Sequence, residues 1–131
     1  MSTLYDKNYE LPKNCYGLSK PAYIVVTARL RAYTEFKEKI FSIENKSKLN
    51  ITKEDIINKS FMESIVKAIE KGLDWVSEDV RNPIWEYASK HYSKGITWDE
   101  VADKYNYSPS YLRMQYAKYI YGVAFELGEI I

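Results

Sequence analysis

Six side chains near the C-terminus have types and spacing that could do chemistry: Ser108, Ser110, Tyr111, Arg113, Met114 and Lys118. The chemistry they fit is recognition of a DNA duplex. An arginine such as Arg113 can form two parallel bonds to O6 and N7 of guanine, or hold a phosphate. The hydroxyls of Ser110 and Tyr111 can reach phosphate oxygens or base edges, and Met114 offers an apolar contact suited to a thymine methyl. Ser108 precedes a proline and marks a helix N-terminus, where backbone N–H groups and the helix dipole favour an anion.

Catalytic patterns are missing by comparison. His91 is the one histidine and has no cysteine near it, so a zinc site would need carboxylates; a boundary position on a helix is the expectation. There is no glycine-rich phosphate loop, and no nucleophile stands at a recognisable spacing from a base. The adjacent acids Glu78-Asp79 and Asp99-Glu100 fall where helix N-termini favour negative charge. Neither an enzyme nor a cofactor is expected.

The elements that would position the six residues can be read from local signals. Gly95 ends one helix, and Thr97 with Glu100 three residues on forms a capping box for a short helix containing Val101, Ala102 and Tyr105. Asn106-Tyr107-Ser108-Pro109 follows. Asparagine suits a left-handed turn residue, serine an N-cap, and proline the first helical position. The final helix is predicted over residues 109–127 with Leu112, Tyr116, Tyr119, Ile120, Val123 and Leu127 as its apolar stripe. Its outward face then carries Ser110, Met114, Ala117, Lys118 and Tyr121, with Tyr111 and Arg113 on the flanks. A short capped helix, a three-residue turn and a longer helix make the helix-turn-helix pattern, whose second helix lies in the major groove.

Upstream, Ser19-Lys20-Pro21 reads as a helix entry. Tyr23, Val26, Leu30, Tyr33, Phe36, Ile40 and Ile43 recur at gaps of three and four over residues 22–45. Two capping signals compete for the next helix, Thr52 with Asp55 and Ser60 with Glu63, and Ser60 is the preferred start. Phe61, Ile65, Ile69, Leu73 and Val76 give its stripe, so the two helices form an antiparallel hairpin or short coiled coil. The stripe Val26, Leu30, Tyr33, Ile40 exceeds what one partner helix covers, which predicts a homodimer through it. A third helix is expected to restart at Pro83, with Ile84, Trp85, Ala88 and His91/Tyr92 inward. Trp75, Trp85 and Trp98 are taken as core anchors.

No segment alternates with period two, so the fold class is all-α: an N-terminal long helical hairpin followed by a C-terminal helix-turn-helix bundle. The division is a polar arm over 1–20, the hairpin over 21–76 and the helix-turn-helix region over 77–131. The chain has 131 residues, 46% of them hydrophobic, enough for a sizeable core without metal or disulfide support. Cys15 is alone, which points to a reducing cytoplasm. No secretory signal and no membrane span are found. Tyrosine supplies 13 of the aromatics, beside 3 Trp and 4 Phe, and suits boundaries and interfaces. Residues 1–74 hold 13 Lys/Arg against 10 Asp/Glu, a net of +3; residues 75–131 hold 6 against 8, a net of −2. The half assigned to DNA is therefore the more acidic. Arg29, Arg31, Lys37, Lys39, Lys46 and Lys48 of the N-terminal half are candidates for extra phosphate contacts.

Four stretches, "MESIVKAIEKGLDWVSEDVR", "IWEYASKHY", "ITWDEVADKYNYSPSYLRMQY" and "YIYGVAFELG", resemble the RinA/ArpU-like regulators of late transcription in phages of Gram-positive bacteria. The turn-and-cap pattern is also similar to the DNA-reading region of sigma factors. The resemblance covers roughly the last 70 residues. It implies a phage-encoded activator that binds double-stranded DNA upstream of a late packaging and morphogenesis promoter and recruits host RNA polymerase in the bacterial cytoplasm. The alternative is a protein-interaction or RNA-polymerase adaptor module with the same fold and little intrinsic DNA binding.

Overall fold

The computed structural model describes residues 18–130; most of the polar arm, including Cys15, lies outside the described residues. The architecture is all-α: α1 (Lys20–Glu44), α2 (Lys53–Lys71), α3 (Arg81–Lys94), α4 (Trp98–Tyr105) and α5 (Pro109–Glu126), with 3₁₀ turns over Lys48–Asn50, Gly72–Trp75 and Glu78–Val80. The end of the expected arm belongs to the fold, since Leu18 is buried and the Ser19 hydroxyl caps α1 by accepting from the Ala22 N–H at 3.3 Å.

Between the two competing starts for α2, the chain takes Thr52 and not Ser60. Thr52 Oγ1 accepts from the Asp55 N–H at 3.0 Å, and Asp55 Oδ2 accepts from the Thr52 N–H at 3.1 Å, which closes a capping box. The same Asp55 oxygen receives Lys46 Nζ from across the loop at 2.8 Å. That contact gives Thr52 a support that Ser60 lacks, and Ser60 lies inside the helix. α3 begins at Arg81, two residues before the expected restart. Pro83 is tolerated as its third residue because first-turn N–H groups have no intrahelical acceptor to lose.

α1 and α2 pack as the hairpin. α5 runs through the middle of the molecule and touches all four other helices. One apolar cluster draws on every helix, with Val26, Ile69, Ile84, Val101, Leu112, Tyr119, Ile120 and Val123 fully buried. Hairpin and helix-turn-helix region therefore share a core. A smaller cluster of Ile40, Met62 and Val66 holds the far part of the hairpin.

The stripe named for a homodimer is used inside the chain. Val26, Leu30 and Ile40 are buried within the chain, because α1 lies against α2, α3 and α5 and not against one helix alone. The apolar side chains that the hairpin leaves exposed are others, Ile24 and Phe41 on α1 and Ile56, Ile57 and Phe61 on α2.

Two glycines let α5 sit close. A Cβ on Gly72 would come within 2.4 Å of Val123 Cγ2, and one on Gly122 within 2.3 Å of Trp75 Cγ. Trp75 is thus seated directly on the α5 backbone. It is 37% exposed and so is a surface residue, not the core anchor expected; Trp85 and Trp98 are partly buried against the core. Gly122→Ala should gain about 1 kcal/mol of helix propensity but lose more by overpacking, which typically costs about 1–3 kcal/mol. A urea melt should show a net loss of stability; a more stable variant would contradict the close seat of Trp75.

Candidate nucleic-acid interface

The short α4 is fixed at both ends by side chains close to it in sequence. Thr97 Oγ1 accepts from the Glu100 N–H at 3.2 Å, and Glu100 Oε1 accepts from the Thr97 N–H at 2.8 Å. At its far end Asn106 adopts the left-handed conformation, φ 64° and ψ 45°, and the Tyr107 N–H reaches back to the Ala102 carbonyl at 3.0 Å. The chain then turns into α5, where Ser108 Oγ accepts from the Tyr111 N–H at 3.1 Å and Pro109 takes the first helical position. Val101, Ala102 and Leu112 fill the corner between the helices, each nearly or fully buried. The caps, turn and crossing all match the sequence reading.

Aromatic rings lock this pair onto α3. Tyr87 stacks against Trp98 at 3.7 Å between centroids and against His91 at 4.5 Å, and Tyr116 meets Tyr87 and Trp98 edge-on. His91 Nδ1 lies 3.0 Å from the Ile96 carbonyl oxygen; that oxygen can only accept, so Nδ1 carries the proton. His91 is a boundary residue holding the α3–α4 turn. Polar clasps add to the rings. Glu86 accepts from Lys104 Nζ at 2.9 Å and from the Tyr105 hydroxyl at 2.8 Å, and the Tyr107 hydroxyl donates to Asp79 Oδ2 at 3.0 Å. These clasps join residues 18 to 28 apart, and no local spacing in the sequence announces them.

On α5, Ser110, Arg113 and Met114 are exposed, while Tyr111 and Lys118 are half-buried. Ser108 is exposed too, with its hydroxyl oxygen engaged in the cap. Ser110, Met114 and Lys118 follow one another at intervals of four on a single strip. Arg113 stands on the neighbouring flank, and Tyr111 lies against Tyr107 with ring centroids 5.7 Å apart. Ala117 departs from the expected outward face: it is 3% exposed. A wheel drawn for one covered side underestimates burial on a helix that touches four others. The strip continues instead through Tyr121 to Phe125, and the spacing 114, 118, 121, 125 would have marked that extension in the sequence.

Neither Arg113 nor Lys118 forms an ion pair among the described residues. Burial pushes the Tyr87 phenol up to about 12, and the nearby Arg113 charge acts in the opposite direction. Lys104 is held by Glu86 and so is less available to a phosphate. The N-terminal cations are engaged as well. Arg29 lies over Phe61, Arg31 over Tyr92, Lys37 pairs with Glu70, Lys39 with Glu35 and Lys46 with Asp55, whereas Lys48 has no such partner among the described residues.

Among the described residues no group of three or more His, Cys, Asp or Glu is placed to hold a metal ion, and no helix is long and apolar enough to cross a membrane. Comparison with known protein families, with curated proteins and with solved structures finds no match to this chain.

The bonds from Lys104 and then Tyr105 hold the Glu86 carboxyl below the usual glutamate range. A depressed folded value means that the clasp stabilises the fold above the unfolded glutamate value and loses that contribution as pH falls through the folded one. Carboxyl NMR should show Glu86 titrating below an ordinary glutamate. Glu86→Gln should flatten the part of the acid stability profile that falls in this window. An ordinary midpoint for Glu86 would mean that α4 is not clasped to α3 in this way.

Proposed function

We propose that the protein is a DNA-binding transcription regulator that reads a duplex with the first turns of α5. The observation that carries the proposal is that α5 is buried by other helices along most of its length but leaves Ser110, Arg113 and Met114 uncovered at its start. Behind them stands a short α4 joined by a left-handed asparagine turn. Recognition helices meet base edges with their N-terminal residues, so the uncovered end is the relevant one. Arg113 and Lys118 supply unpaired charge, Ser110 and Tyr111 supply hydroxyls, Met114 supplies an apolar contact, and Ser108 frames the helix N-terminus. The resemblance of residues 61–131 to RinA/ArpU-like regulators supports a more specific reading. In it the protein is a phage activator of late packaging and morphogenesis genes that works in the cytoplasm of the host bacterium with host RNA polymerase as partner.

A gel shift on late-promoter DNA, with and without polymerase, tests the reading. Arg113→Ala should weaken specific binding by about 1–3 kcal/mol, as expected for loss of a bidentate base contact. Its melting temperature and helical circular dichroism should stay as in the parent, since the side chain is exposed. Unchanged affinity with reduced stability would make Arg113 structural.

The salt dependence gives an independent check. Each phosphate neutralised contributes about −0.9 to the slope of log affinity against log salt, and with Lys94, Arg113 and Lys118 as the cations between residues 94 and 118 that form no ion pair among the described residues the slope should be roughly −2 to −3 per protomer. A steeper slope would place α1 cations on the backbone. No salt-dependent binding to any duplex would remove the proposal.

A further inference from the structure

The solvent-facing strip of α5 has two chemically different ends. At 1.5 Å per residue, Phe125 lies about 16 Å beyond Met114 along the helix. There Trp75 packs against Tyr121 with centroids 5.4 Å apart and against Phe125 at 5.3 Å. Trp75 is 37% exposed and Phe125 52%, so two large rings face water on a shared patch. The patch is rigid as well as apolar. Trp75 rests on Gly122 so closely that a Cβ there would overlap its ring, and Tyr121 buttresses it edge-on. Aromatic side chains already held in place lose little freedom when a partner covers them, which is why Trp and Tyr dominate the binding energy of interfaces.

The charges around the patch select its occupant. Asp74 precedes Trp75, Glu126 follows Phe125, and Glu129 lies just beyond; all three are exposed, and none forms an ion pair among the described residues. Against these three acids stand two cations nearby in sequence, Lys71 four residues before Trp75 and Lys118 three before Tyr121, so the acids are in excess. Phosphates would meet those carboxylates, so this end of the strip is not an extension of a DNA footprint. A second copy docked two-fold on the same patch would bring the acidic rims of both copies together, since such an interface pairs one surface with itself. A basic polypeptide suits both features. Its apolar side chains cover the rings, its Arg or Lys heads lie over Trp75 or pair with Asp74 and Glu126, and neither desolvates an uncompensated charge.

We infer that the Trp75–Tyr121–Phe125 patch is a docking site for a basic, apolar-anchored segment of a partner protein. It is distinct from the duplex-reading end of α5 and can be occupied at the same time. The inference does not depend on DNA binding.

The test uses the full chain and two short synthetic peptides with the same apolar residues, one carrying Arg and Lys and the other Glu and Asp. The indole N–H signals of Trp75, Trp85 and Trp98 are followed by NMR. The basic peptide should shift the Trp75 signal and leave the other two in place, whereas the acidic peptide should shift none. The double variant Asp74→Lys/Glu126→Lys changes exposed residues and should keep the parent melting temperature, while Phe125→Ala gives up its contact with Trp75 and should lower it slightly with the helical circular dichroism unchanged. Each should weaken binding of the basic peptide about tenfold or more, the effect expected at a central anchor. Equal response to both peptides, or undiminished binding by the charge-reversed variant, overturns the assignment. So does a Trp75 shift produced by duplex DNA alone, or by raising the protein concentration alone, which would give the patch to nucleic acid or to a second copy.

Discussion

The Tyr119 hydroxyl donates to the Ile69 carbonyl across 2.9 Å with both groups buried, and the arrangement of the bundle depends on this contact. Ile69 is in the last turn of α2, where carbonyls run out of helical partners and a buried one without a bond is costly. Tyr119 satisfies it from the centre of α5 and brings a fully buried ring with it. Burial holds the phenol well above its usual range, so it remains a donor at all ordinary pH values. Gly72 comes directly after this turn, and the missing side chain lets Tyr119 and Val123 close over the end of α2. Without that closure α5 would have no fixed depth, and α3 and α4, which pack on it, would lose their reference.

One helix therefore serves two purposes along its length. The middle and later turns of α5 are core, with Tyr119, Ile120 and Val123 removed from water. In its first turns Leu112 and Tyr116 are still buried against α4 and α3, while Ser110, Arg113 and Met114 face outward. Part of the acidity of the C-terminal half serves the fold. The carboxylates of Glu86, Asp79 and Glu100 are engaged in internal clasps and caps, so they act on α3, α4 and the turn more than on any ligand.

The parts of this arrangement that are legible in the sequence are those set by neighbours a few residues apart. Thr97 with Glu100, Asn106, and Ser108-Pro109 each determine a cap or a turn through atoms within one turn of chain, and each is found as read. Thr52 and Ser60 show where local reading ends. Both match a capping pattern, and Lys46, which reaches Asp55 from the preceding loop, favours the first. Ala117 and Trp75 fail for a related reason. Whether a helix position is covered depends on how many other helices approach it, and periodicity within one helix does not carry that number. The exposure of Ser110, Arg113 and Met114 was legible because they lie off the stripe of Leu112 and Tyr116, whereas Tyr111 and Lys118, read with them, are half-buried. The clasps at Glu86 and Tyr107 were not legible, because the residues they join lie far apart in the chain.

The anchoring of α5 has a mechanical consequence. Ser110 stands nine residues before Tyr119, about 13 Å along the helix, and the turns between them are pinned by the buried Leu112 and Tyr116 against α4 and α3. A repacking around Tyr119 therefore reaches Ser110, Arg113 and Met114 only by moving α3 and α4 together with α5. Changes in the core would thus carry the exposed end of α5 along with its two supporting helices as one body, and not bend it alone.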